Sequence, residues 1–174
     1  MSNIHLKPVL ASEIGELAEI SYRTFDEAFR HLNNPDDFNA FIAEAFTIEK
    51  ISHEFHNPEV EFYFANAGDE RAGYMKLNHG NAQTEHELDN ALEIERIYVD
   101  SKFQGMKIGE FMVNFAIEKA LQKKHDWIWL GVWEKNTRAI QFYERHAFIK
   151  FSKHTFIIGN DPQTDILMRR SLNL

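Results

Sequence analysis

The chain has 174 residues, 44% hydrophobic and 26% charged, a composition that fits one globular domain with a full core and excludes a disordered segment. It has no cysteine, which excludes disulfides, thiolate metal sites and a thiol nucleophile. A formal net charge of −8 opposes nucleic-acid phosphates; in any groove that concentrates carboxylates, it attracts small cations.

Taken in chain order, the opening MSNIHLKPVL has no apolar stretch of signal-peptide length, and no apolar run is long enough to span a bilayer. A cytoplasmic protein without membrane or nucleic-acid partners is expected. Residues 12–29 place Ile14, Leu17, Ala18, Tyr22, Phe25 and Phe29 at helical spacing behind Ser12 as N-cap. A second helix over 35–46 opens on Pro35 and aligns Phe38, Phe41, Ile42 and Phe46. A short third helix follows over 48–55. VEFYFANAG and RAGYMKLN then read as a hairpin turning at Asp69 and Glu70, and GNAQTEHELDN as an exposed loop.

The second half changes pattern. LEIERIYV (92–99) is a strand, 105–124 a long amphipathic helix, WIWLGVW (127–133) a strand and 136–146 a helix. Two strands over 148–158 and 164–170 close the chain around GNDP. A strand–loop–helix–strand–helix order implies neighbouring parallel strands, while the hairpins imply antiparallel ones, so the sheet is mixed. A site is expected at the C-terminal ends of the parallel strands.

In FQGMKIGEFM, Gly105 and Gly109 bracket the first turn of the long helix, where backbone N–H groups lack intrahelical partners and form an anion site. On spacing alone a plain helix start explains the loop as well. There is no GxxxxGK[ST] and no GxGxxG. After the next strand comes N-x-x-A-x-x-F-Y, as Asn136, Ala139, Phe142 and Tyr143. With these elements in this order, the chain over roughly 70–170 resembles the GNAT superfamily of N-acetyltransferases, whose pyrophosphate loop [QR]-x-x-G-x-[GA] is matched from Gln104 to Gly109. LEIERIYV, IWLGVWEKN and QTDILM look particularly like the PaiA-type spermidine/spermine N-acetyltransferases of bacteria.

The resemblance implies an α+β fold in which a central mixed, twisted sheet of about six to seven strands is flanked by helices. Two adjacent parallel strands splay to hold the cofactor. It implies one N-acetyltransferase domain over 1–174, with substrate-side helices in 1–60 and the acetyl-CoA core in 61–174. Acetyl-CoA is the implied co-substrate, and a homodimer the implied assembly. The backbone of Ile97, Tyr98 and Val99 would take the pantetheine arm. Gln104, Gly105, Met106, Lys107, Ile108, Gly109 and Glu110 would take the pyrophosphate. Asn136 would cap its helix and reach the pantetheine region. Tyr143 would protonate the departing thiolate, although helix packing also explains it; phenols have pKa values of about 10. Lys107 and Ala147 stand where the family has glycine.

Glu93 and Glu95 are the candidate bases. Regular alternation puts them on one face with Ile97 and Val99, opposite Ile94, Arg96 and Tyr98. Salt bridges to Arg96 or a lysine are the alternative. By register with the family Glu93 is the base, and a bulge would exchange the two roles. Trp127, Trp129 and Trp133 pack the sheet, with Trp133 near the cleft. Asp26, Glu27, Asp36, Asp37 and Glu44 would form a cation-attracting groove or a solvated face. His53 and His56 spell HExH, not HExxH, so no metal is expected. A polyamine is the leading acceptor; a protein N-terminus, a lysine, an amino sugar, or a non-catalytic acetyl-CoA sensor are the alternatives. Transfer is expected to be direct, because no cysteine can carry the acetyl group.

Overall fold

The computed structural model describes residues 3–173; Met1, Ser2 and Leu174 of the expected 1–174 domain lie outside the described residues. The elements run β1 (Ile4–Pro8), α1 (Ile14–Phe29), α2 (Pro35–Ala45), α3 (Ile48–Phe55), β2 (Val60–Ala67), β3 (Glu70–Asn78) and β4 (Ala91–Val99). Then come α4 (Ile108–Gln122), β5 (Trp127–Trp133), α5 (Thr137–Arg145), β6 (Ile149–Ile158) and β7 (Asp161–Ser171). The strands form one 7-stranded sheet in the order β1-β2-β3-β4-β5-β7-β6. β4 and β5 are parallel and every other neighbouring pair is antiparallel, the mixed sheet expected. No described helix is long and apolar enough to cross a membrane.

Local chemistry explains most boundaries. Asn34 caps α2 by accepting from the N–H groups of Asp36 and Asp37 at 2.9 and 3.3 Å, with Pro35 at the first helical position. Thr47 caps α3 through the Lys50 N–H. Ser12 does not cap α1: the chain enters through a 3-10 turn, and Glu13 accepts the Leu10 N–H at 2.9 Å. Tyr22 is 43% exposed, so it does not belong to the buried stripe. Ser21 and Thr24 are buried in its place, their hydroxyls satisfied by the carbonyls of Leu17 and Ile20.

Two cores sandwich the sheet. On one face, Ile108, Met112, Val113, Ala116, Ile117 and Ala120 of α4, with Ile140 and Tyr143 of α5, pack on the strands. On the other, α1–α3 supply Leu17, Phe25, Phe38, Ile42 and Ile51 against Phe62, Phe64 and Tyr74. β1 is an additional edge strand beyond the expected elements; five residues are too few to display a period, and Pro8 closes it where an edge strand tolerates proline. Gly73 is required where β3 meets β4: a β-carbon there would stand 2.3 Å from the Tyr98 carbonyl oxygen.

Candidate active site

The parallel pairing of β4 and β5 covers Ala91↔Trp127, Leu92↔Ile128 and Glu93↔Trp129. Past that point β5 stays paired with β7 while β4 stays paired with β3, so the two strands part. A cleft of about 760 Å³ opens between them. The β4 backbone from Ile97 to Val99 faces it without a ladder partner on the β5 side, which leaves N–H and C=O groups for a ligand. Of the residues singled out from sequence, Glu93, Glu95, Ile97, Tyr98, Val99, Gln104, Asn136 and Tyr143 all line this cleft. Gly105, Met106, Lys107, Ile108, Gly109 and Glu110 stand beside it, at the N-terminus of α4.

A bulge corrects the expected alternation along β4. Lys76 pairs with Arg96 but Leu77 pairs with Ile94, leaving Glu95 as the extra residue. Ile94 therefore shares the α4 face with Ile97 and Val99, while Tyr98 packs on the α1–α3 face. Glu93 and Glu95 are thus on the side of Arg96 and Tyr98, not with Ile97 and Val99.

The two carboxylates have different surroundings. Glu95 is ion-paired with Lys76 at 2.5 Å and Arg96 at 3.2 Å. Burial pushes its carboxyl up, but Arg96 and Lys76 outweigh that and hold it below the usual range. Glu93 is 2% exposed and has no cationic partner among the described residues. Burial raises its carboxyl above the usual range and the Glu95 charge adds to this, against hydrogen bonds from Thr84 and Asn78. The Asn78 amide donates to Glu93 at 3.1 Å and to Glu95 at 2.6 Å. The salt-bridge alternative therefore describes Glu95 and not Glu93.

The helix at the anion loop starts at Ile108, not at 105, because Gly105 and Lys107 have φ of +82° and +62°. The first α4 bond runs from the Phe111 N–H to the Lys107 carbonyl, so the preceding amides in that turn lack intrahelical acceptors. Lys107 sits in the left-handed region that favours glycine, and so does Ala147 at the end of α5, with φ +62°. Lys107→Gly and Ala147→Gly are each expected to stabilise the protein by about 1 kcal/mol, measured as higher urea midpoints.

Tyr143 is buried on α5, and burial alone raises its hydroxyl well above the usual phenol range. It therefore keeps its proton at neutral pH and stands in the cleft as a neutral hydroxyl. Asn136 caps α5 by accepting the Ala139 N–H at 3.2 Å. Trp133 borders the cleft, edge-on to Phe29, whereas Trp129 is buried and Trp127 lies under Arg169.

Of the five acids expected to form a groove, only Glu27 lines the cleft. Asp26 is bonded to Arg30, and the Asp37 carboxylate accepts the Asn160 N–H. Their place is taken by Glu85 and Asp165, which flank His154 at 2.9 and 3.4 Å. The loop 80–90 is not simply exposed: Gln83 is buried, accepting the Trp129 indole N–H at 2.8 Å, and Thr84 bonds Glu93. Among the described residues no cluster of three or more potential metal ligands occurs.

A sequence model of the acetyltransferase (GNAT) family matches residues 21–148. Over 172 residues the chain is 37% identical to an uncharacterized N-acetyltransferase of Lactobacillus delbrueckii subsp. lactis, covering 99% of both chains. The crystal structure of a PaiA N-acetyltransferase from Thermoplasma acidophilum, in complex with coenzyme A, superposes with a TM-score of 0.74 at 18% identity, covering 97% of this chain and 99% of that one. The ribosomal-protein-S18-alanine N-acetyltransferase of Escherichia coli gives a TM-score of 0.73 at 12% identity, covering 99% and 96%. At such identities the structural likeness is one of fold.

Proposed function

The chain belongs to the acetyltransferase (GNAT) family, and on that premise we propose that it transfers the acetyl group of acetyl-CoA directly to an amine of a polyamine such as spermidine or spermine. What supports the polyamine is charge. Glu27, Glu85, Glu93 and Asp165 line the cleft, and among the described residues none of them is ion-paired with a lysine or arginine. A polycation is the small-molecule class that such a set attracts.

In this reading residues 1–174 are one N-acetyltransferase domain whose α1–α3 side receives the amine. The free β4 backbone at Ile97, Tyr98 and Val99 holds the pantetheine arm. The amides of the Gln104 to Glu110 turn hold the pyrophosphate, with Lys107 adding a positive charge. Acetyl-CoA supplies the thioester carbonyl carbon that the amine attacks. Glu93 takes the proton that the attacking nitrogen must lose, and its raised pKa makes it a stronger base than an ordinary carboxylate. Tyr143 gives its proton to the sulfur as the C–S bond breaks. Glu95, fixed as a carboxylate, balances Lys76 and Arg96.

The test is thiol release from acetyl-CoA with spermidine and spermine beside other amines, including an N-terminal alanine peptide. Release with polyamines alone is expected. Release only with another amine keeps the acetyltransferase and discards the polyamine; acetyl-CoA binding with no release for any amine turns the protein into a sensor. Tyr143→Phe is expected to lower kcat about tenfold or more with little change in the KM for acetyl-CoA. An equal loss of acetyl-CoA binding would assign the ring a packing role.

A further inference from the structure

Between β3 and β4 the chain crosses the sheet as a strap, fastened to β4, β5 and β6. Gln83 accepts from Trp129 of β5, Glu85 meets His154 of β6 at 2.9 Å, and Glu87 accepts the Ser152 hydroxyl of β6 at 2.8 Å. At its centre, Thr84 makes two bonds to one carboxylate. Its backbone N–H donates to Glu93 Oε2 at 2.8 Å and its hydroxyl donates to Oε1 at 2.5 Å. Both residues line the cleft.

We propose that Thr84 is the positioning residue of the amine-activating carboxylate, holding Glu93 in one orientation and accommodating both of its protonation states. The proposal rests on the reading of Glu93 as the base. Glu93 Oε2 is occupied by the Thr84 N–H and the Asn78 amide, and Oε1 by one hydroxyl, so the proton is received at Oε1. A backbone N–H can only donate and favours the charged form. A hydroxyl donates to the carboxylate and, once Glu93 is protonated, turns to accept from it. The other charge beside Glu93 is Glu95, itself balanced by Lys76 and Arg96; Asn78 of β3 and Trp129 of β5 complete the surroundings without charge.

The experiment compares Thr84→Val, Thr84→Ala and Thr84→Ser with Glu93→Gln. It follows kcat, the KM for acetyl-CoA and the pH–rate profile, using the best amine from the panel. The carboxyl carbon resonance of Glu93, assigned by its loss in Glu93→Gln, is titrated in the free enzyme and needs no substrate. Thr84→Val is expected to lower kcat roughly tenfold at neutral pH with the KM for acetyl-CoA unchanged. It should move both the acid limb and the NMR midpoint upward by about one pH unit, because a bond favouring the charged form is lost. Thr84→Ser should restore both, and Thr84→Ala, which removes the hydroxyl without the bulk of valine, should match Thr84→Val. A Thr84→Val or Thr84→Ala enzyme with wild-type acid limb and midpoint, beside an inactive Glu93→Gln, overturns the positioning role alone. A fully active Glu93→Gln overturns the base, and the positioning proposal with it.

Discussion

Glu93→Gln is expected to lower kcat by about 10²- to 10³-fold, the range that a positioned general base supplies. The substitution is suited to the site. A glutamine oxygen in the place of Oε2 still accepts from Thr84 N–H and Asn78, and its amide donates to the Thr84 hydroxyl in the place of Oε1. Folding should therefore survive. The folded-state pKa of Glu93 is raised, so the stability it contributes is present at low pH and lost as pH rises through that pKa. Above that pKa the buried carboxylate is a burden that glutamine relieves, and there the melting temperature of the variant should equal or exceed that of the wild type. The wild-type rate should climb with pH through an ionisation above the ordinary carboxylate range, and the variant should lack that limb. Glu95→Gln makes the contrast: it removes the counter-charge of Lys76 and Arg96, so its first effect should be on stability. If Glu95→Gln abolishes turnover in a fully folded enzyme while Glu93→Gln does not, the base is Glu95.

How much of this was legible in the sequence depends on the range of the interactions that decide it. α2, α3 and β5 were read nearly to the residue, because Asn34-Pro35, Thr47 and the unbroken WIWLGVW act within a few positions. The parallel pair followed from element order, and the glycine-like positions of Lys107 and Ala147 are indeed left-handed. The bulge at Glu95 left no mark in LEIERIYV, since it is a property of two strands in register; without it the faces of Glu93 and Glu95 are assigned wrongly. Local acidic runs such as Asp36-Asp37 do not form the groove: neither residue lines the cleft, and the Asp37 carboxylate is taken by the distant Asn160 N–H. The carboxylates that do face the cleft, Glu85 and Asp165, are brought together only by tertiary structure. One signal in the sequence does point there: Lys76 and Asn78 alternate within the otherwise apolar AGYMKLN, and polar side chains at buried strand positions require partners.

Those partners carry the second large expected effect. Arg96 grips Glu54 of α3 with two bonds of 2.8 and 2.9 Å, while Lys76 reaches Glu54 at 3.3 Å and Glu95 at 2.5 Å. Two cations and two carboxylates balance in a region where each side chain is less than one-fifth exposed. Glu54→Gln leaves both cations facing Glu95 alone and is expected to cost about 3 kcal/mol in urea denaturation. Lys76→Met should also be costly alone, since it strands a carboxylate. Together the two substitutions leave Arg96 balanced by Glu95, and a methionine stem can lie along the Phe62 ring that Lys76 now approaches. The double variant should therefore recover more than about 1 kcal/mol of the summed losses. Strictly additive losses would mean that α3 is held by apolar contacts such as Ile51 and not by the charges. Acid should expose the same network from the other side. Glu95 has a lowered folded pKa, so its stabilisation is complete at neutral pH and is lost as pH falls through that value. The network joins the helix of the proposed acceptor side to the bulge that presents Glu93. Loosening it should therefore lower kcat even though none of its charges is assigned a proton to move.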